Sequence, residues 1–197
     1  MGTMRTTSVA DEVLRAALEL FAAQGYANTS VQQIVEAAGV TKGAMYHYFS
    51  SKDDLLFAIY ERMLSLQKRR LDEITAKGGS AEAVVRAVCE DVVVTSIDFL
   101  REGTIFFRSQ HMLTTERQKE VKRRRREYHD AFAELVTRGQ AEGSFRDDIP
   151  VSVLIANFFS DVHYLPHWYS AEGPEDKTEV AEQLTALFLR GIRRSDD

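Results

Sequence analysis

The chain has one cysteine, three prolines and no long apolar run in its 197 residues, and each scarcity excludes something. A lone cysteine cannot close an intrachain disulfide, so the sequence predicts a protein of the reducing cytoplasm. Cys89 stands among valines in "AVVRAVCEDVVVTSI" and reads as a small buried hydrophobe rather than a nucleophile. With only Pro150, Pro166, Pro174 and eleven glycines as punctuation, long helices are favoured over many short strands. No stretch approaches the roughly 18 apolar residues of a membrane span. The opening "MGTMRTTSVADEV" lacks the apolar core of a signal peptide, and no membrane partner is expected. Excess positive charge is also missing: the net charge of −5 excludes broad electrostatic attraction to nucleic acid. Enzyme motifs are absent too, with no phosphate loop, nucleophile elbow, His-Glu zinc motif or telling carboxylate pair.

What is present is helical periodicity. Leu14, Ala17, Leu18 and Phe21 recur at one helix face, with Ser8 and Asp11 at its start and Gly25 at its stop. Thr29 and Gln32 have capping-box spacing ahead of Val31, Ile34, Val35 and Ala38, and Gly39 ends that helix. Thr41 caps a third helix, and Ser51 with Asp54 opens a long fourth one over 51–75. Further helices are expected over 81–102, around Phe106 and Phe107, and over about 115–138, 151–165 and 179–192. The predicted fold is all-α with about nine helices. A three-helix N-terminal domain (1–54) precedes a helical ligand-binding and dimerisation domain (55–197).

The stretch "VQQIVEAAGVTKGAMYHYFSSKDDL" carries the chemistry. On a helix from Thr41 to Phe49, Lys42, Gly43, Tyr46 and His47 share one face while Met45 and Phe49 share another. An ammonium, a phenol and an imidazole around a glycine, on a helix joined by Ala-Gly-Val to the one before, is a helix-turn-helix pattern that suits the DNA major groove. From Met1 to Asp54 there are four cationic side chains against six carboxylates. The free amides at the helix starts near Thr29, Thr41 and Ser51 must then hold phosphates as well.

The stretch "ALELFAAQGYANTSVQQIVEAAGVTKGAMYHYFSSKDDLL" resembles the N-terminal domain of the TetR family of bacterial repressors from about Ala16 to Leu56. The resemblance implies a homodimer on an inverted-repeat, double-stranded DNA operator, released when a small hydrophobic molecule enters the C-terminal domain. Carried over by position, Thr29, Tyr46 and Lys52 would grip phosphates. Gln32, Thr41, Lys42, Gly43 and His47 would lie near bases or backbone, and Arg5 would enter the minor groove as an arm. Three cationic contacts per subunit (Arg5, Lys42, Lys52) predict a slope of log K on log salt near −5.

The remaining motifs bear on ligand and dimer. Leu154, Ile155, Phe158, Phe159 and Val162, then Val180, Leu184, Leu187 and Phe188, resemble the family's dimer interface, against an intrachain core as the alternative. Candidate effector contacts are Phe99, Phe106, Phe107, His111, Met112, Tyr128, Phe132, Phe158, Tyr164 and Trp168, although aromatics at helical spacing commonly form core. The stretch "YLPHWYSAEGP" resembles a segment of members that sense acyl-CoA thioesters, without the usual proline at Ser170-Ala171. In "KEVKRRRRE" five consecutive cations wrap more than one turn; either they are solvated, or two of them, such as Arg123 and Arg126, meet CoA phosphates. His163 and His167 lack a third metal-ligating companion, so no metal and no cofactor beyond the effector is expected. The effector remains open between an acyl-CoA and another lipophilic molecule of the multidrug type. An all-α interaction module without DNA binding is the remaining rival.

Overall fold

The computed structural model describes residues 8–194 and places nine α-helices among them, with no strand. They are α1 Val9–Gln24, α2 Val31–Ala38, α3 Lys42–Tyr48, α4 Lys52–Ala76, α5 Ala81–Asp98, α6 Leu100–Ser109, α7 Thr115–Ala141, α8 Val151–Tyr164 and α9 Lys177–Ile192. Short 3-10 turns follow α6 and α8. No helix is long and apolar enough to cross a membrane among the described residues.

Local chemistry sets the boundaries. Ser8 caps α1 by accepting the Asp11 amide at 3.1 Å, and Thr41 caps α3 by accepting that of Ala44 at 3.1 Å. The capping box of α2 lies one residue beyond the expected Thr29–Gln32 pair. Ser30 Oγ accepts from the Gln33 amide at 3.2 Å, and Gln33 Oε1 accepts from the Ser30 amide at 2.8 Å. Thr29 is not free for that role because its hydroxyl donates to the Gly25 carbonyl at 2.8 Å. Gly39 adopts φ +68° and closes α2, a conformation that a residue with a Cβ rarely takes. The single helix expected over 81–102 is broken at Phe99, which leaves helical geometry at φ −109°, ψ 25°.

The chain forms two compact units. The first joins the described residues up to Arg62 with Arg101–Val121, and the second joins Met63–Leu100 with residues 122–194. In the first, α1, α2 and α3 pack around Val13, Ala17, Phe21, Ile34, Val35 and Met45, all buried. A linear boundary at residue 54 leaves out α6, which belongs here: Phe106 stacks face to face on Tyr60 with ring centroids 3.7 Å apart. In the second unit, α5 packs on α9 through Val85, Val88, Cys89 and Val92 on one side and Ala181, Leu189 and Ile192 among its neighbours. Cys89 is fully buried and its thiol is pushed far up by desolvation, so it is packing rather than chemistry. Phe132, Phe158 and Phe188 form an aromatic stack at its centre.

The turn after α7 closes the second unit. Phe145 is buried beneath α7, the Arg146 amide donates to the Ile192 carbonyl at 2.8 Å, and the Arg194 amide donates to the Ser144 carbonyl at 3.2 Å. Gly139 makes room for that ring, because a Cβ there would lie 2.1 Å from Phe145 Cδ2. Gly139→Ala should gain up to about 1 kcal/mol of helix propensity and lose more to overpacking. A net destabilisation of about 1–2 kcal/mol, read as a lower denaturation midpoint, is expected. An unchanged midpoint would show that the ring has room to withdraw.

Candidate nucleic-acid interface

The outer face of α3 follows from one buried residue. Met45 is fully buried against α1 and α2, which turns Lys42, Gly43, Tyr46 and His47 outward. Thr41 and Gln32 are exposed beside them, and the Gln32 amide donates to Glu36. Tyr48 is also exposed, with its ring edge-on to His47 at 4.9 Å. Sequence reasoning missed it because a residue three beyond Met45 belongs on the apolar side of a continuing helix. The helix ends at Tyr48, so nothing packs over that ring.

Gly43 is informative. Among the described residues an added Cβ would meet only Thr41 Oγ1, at 3.8 Å, so none of them requires a glycine there. A glycine inside a helix costs about 1 kcal/mol relative to alanine.

Two of the expected phosphate contacts have other roles. Thr29 is buried, and its hydroxyl is held by Gly25 and by the Gln24 amide. Lys52 Nζ donates to the carbonyls of Tyr26 at 2.9 Å and Thr29 at 2.8 Å, and lies 4.3 Å from the centroid of the Tyr26 ring. Desolvation lowers its pKa. It staples the α1–α2 turn to the start of α4. Arg5 lies outside the described residues. Lys42 is the one expected cation that this face presents to solvent among the described residues.

The comparisons with known proteins agree with this geometry. Residues 13–59 match the family model described as bacterial regulatory proteins, tetR family, and residues 78–192 match the tetracyclin repressor-like C-terminal domain. The chain belongs to the TetR family. A transcriptional repressor of Rhodococcus jostii RHA1, KstR2, is 30% identical over 187 residues, covering 92% of this chain and 89% of the relative. The ketosteroid regulator KstR2 of Mycobacterium tuberculosis superposes with a TM-score of 0.80 at 22% identity, covering 97% of this chain and 98% of that one. AibR, solved with isovaleryl coenzyme A and operator DNA, superposes at 0.77 and 22% identity, covering 91% and 97%. This TetR-family chain is a helix-turn-helix transcriptional regulator and not an enzyme.

The C-terminal expectations need more correction. Leu154, Ile155, Phe158, Phe159, Val162, Val180 and Phe188 are buried within the chain, and Leu184 packs against the same core. They cannot also form a surface for a partner; of that set only Leu187 is exposed. The outward apolar residues of α8 and α9 are Val153, Tyr164 and Leu187, which alternate with the buried stripe around each helix.

The expected effector contacts are divided between the two units. Phe106, Phe107, His111 and Met112 belong to the first unit, where Phe106 is buried against Tyr60 and Met112 is exposed. Tyr128, Phe132 and Phe158 are buried core of the second, Phe99 is half-buried, and Tyr164 and Trp168 are exposed. Arg123 is exposed and pairs with Glu127, and Arg126 is exposed. The cations that turn inward are Arg124 and Arg125. Arg124 lines a polar groove of about 340 Å³ with Ser65, Lys68, Arg69, Asp72 and Glu73. Arg125 lies 3.2 Å from His163 Nε2, and burial, with Arg125 and His129 adding, pushes His163 down to about 4. His163 and His129 flank Phe159 along a second groove of about 490 Å³ between α7 and α8. His167 instead stacks on Tyr164, and no three metal-ligating side chains converge among the described residues.

Removing Lys52 Nζ takes the ammonium from the Thr29 carbonyl and leaves that of Tyr26 with the Thr29 amide alone, at 3.2 Å. Lys52→Ala should cost roughly 1–3 kcal/mol in a denaturant melt. An unaltered melt together with weakened DNA binding would return Lys52 to the phosphates.

Proposed function

We propose that two copies of the chain pair through the outer faces of α8 and α9 and place their α3 helices in successive major grooves of an inverted-repeat operator. The observation that supports the DNA contact most strongly is Gly43, a helical glycine that the chain's own packing does not need. Around it, Tyr46, His47 and Lys42 supply the hydrogen-bonding and charged groups for bases and phosphates. Pairing is supported by Val153, Tyr164 and Leu187, large apolar side chains left more than half exposed. A two-fold dimer would hold the reading helices roughly 34–36 Å apart, one turn of DNA.

The effector is an acyl-CoA thioester in this reading, and its binding weakens the hold on DNA. Support comes from the isovaleryl coenzyme A bound to AibR, a structural neighbour. Within the chain, the reading is supported by Arg124, which lines a groove with Lys68 and Arg69, and by the half-buried Arg125, while Arg123 and Arg126 are exposed. A ligand that changes DNA affinity must bind the two states unequally, by about 1–3 kcal/mol for typical coupling.

Gly43→Ala separates the two demands on that position. The variant should gain up to about 1 kcal/mol of stability. It should lose roughly tenfold or more in affinity for a duplex that the unaltered protein selects from a random-sequence pool. Undiminished affinity would remove α3 from the DNA face. With Lys52 committed to backbone carbonyls, two cations per subunit remain, and the salt slope for the same duplex should be about −3.6 rather than −5.

For the effector, thermal melts against isovaleryl coenzyme A and longer acyl-CoA thioesters, with free CoA as control, should show stabilisation of about 2.7 kcal/mol at 100 times the Kd. A shift that requires both the acyl chain and CoA is expected. No shift with any thioester would discard this effector class and leave the DNA assignment standing.

A further inference from the structure

Adjacent carboxylates at the start of α4 are forked in the same way. Asp54 Oδ2 accepts the amide of Ser50, just past the end of α3, at 2.9 Å, while its Oδ1 accepts from Arg117 Nε on α7 at 2.9 Å. Asp53 Oδ1 accepts the Tyr26 hydroxyl from the α1–α2 turn, while its Oδ2 accepts the Thr114 amide at the start of α7, at 3.1 Å. Each carboxylate therefore gives one oxygen to the helix-turn-helix and the other to α7. A third link runs alongside, where Arg101 on α6 makes a bidentate pair with Glu19 on α1, both contacts at 2.7 Å.

The Asp54 pair is more shielded than an ordinary surface pair. The Asp54 side chain is only 15% exposed, and the Arg117 guanidinium also lies 4.6 Å from the centroid of the Phe57 ring. Burial raises the Asp54 carboxyl, but the bonds from Arg117 and Ser50 outweigh it and hold the group below its ordinary value. Arg117 donates from both Nε and Nη2 to one Asp54 oxygen, and such partly desolvated bonds between charged groups fix geometry as well as distance. Helix α7 runs unbroken from Thr115 to Ala141, with its first turns in the first unit and the rest in the second.

We infer that Asp53 and Asp54 are positioning residues for DNA binding, tying the exit of α3 and the α1–α2 turn to the first turn of α7. A displacement of that turn is then carried to the reading face through two carboxylates. The inference rests on the DNA-binding reading above and adds the residues through which α7 governs it.

The test is a double-mutant cycle with Asp54→Asn, Arg117→Ala and the two combined, read in three ways on the full chain. Affinity for the selected duplex should fall roughly tenfold in each single variant and no further in the double. Amide hydrogen exchange at Phe49 and Ser50 should accelerate in Arg117→Ala, a substitution made on a different helix. Arg117→Lys, which keeps the charge but not the fork, should recover only part of the affinity. Additive losses, or an Arg117→Ala variant with unchanged exchange at Ser50 and unchanged affinity, would overturn the inference. If a variant fails to fold, Glu19→Gln and Arg101→Gln supply the same cycle on the α1–α6 link, with exchange in α1 as the readout. Should the unaltered protein select no duplex, the DNA reading fails by itself, and the exchange measurements still decide whether α7 holds the end of α3.

Discussion

The ammonium of Lys52 sits where three helices meet, and the helix-turn-helix depends on it. Its donors satisfy two carbonyls of the α1–α2 turn that no helix ladder reaches. With that turn fixed, Ser30 can cap α2, Gly39 can close it, and α3 is set down with Met45 inward. The side chains of Tyr46 and His47 are presented only because of that sequence of constraints. A charge that a simple reading assigns to DNA helps to build the helix-turn-helix itself.

This commitment sharpens the problem posed by an acidic chain. With a net charge of −5, long-range attraction to nucleic acid is weak. The proposed reading face offers shape, hydroxyls and one lysine among the described residues, so close fit must count for more than charge in its contact with DNA. Close fit is what a helical glycine permits. Such an interface favours specificity over indiscriminate adhesion, because a face with few cations gains little from the phosphate backbone of a wrong sequence.

The N-terminal helices were legible because their signals are local: caps, a left-handed glycine and a 3.6-residue stripe all act within a few residues. The same locality explains the errors there. Thr29 and Ser30 are equally good caps on paper, and only the inward turn of Thr29 toward Gly25 decides between them. Lys52 reads as solvated until the turn 26 residues earlier is folded beside it. In the second unit the limits are larger. Leu154 to Val162 form an apolar stripe, and a stripe does not say whether its cover comes from the same chain; Phe132 and Phe188 supply that cover here. The run Lys122–Arg126 could not be divided by composition, since the split between outward Arg123 and inward Arg124 depends on where α4 lies. The link between Asp54 and Arg117 spans 63 residues and has no signature that spacing could expose.

The first unit is assembled from two stretches separated along the chain, one ending at Arg62 and the other spanning Arg101–Val121. A ribosome adding about 5–20 residues per second must therefore make the whole of α5 before α6 can stack on Tyr60 or Arg117 can reach Asp54. Until then α1 to α3 have their own small core but not the contacts that brace the start of α4. The first unit is thus finished late in synthesis, after part of the second already exists. A nascent chain cannot complete its helix-turn-helix unit before it has begun to make the other.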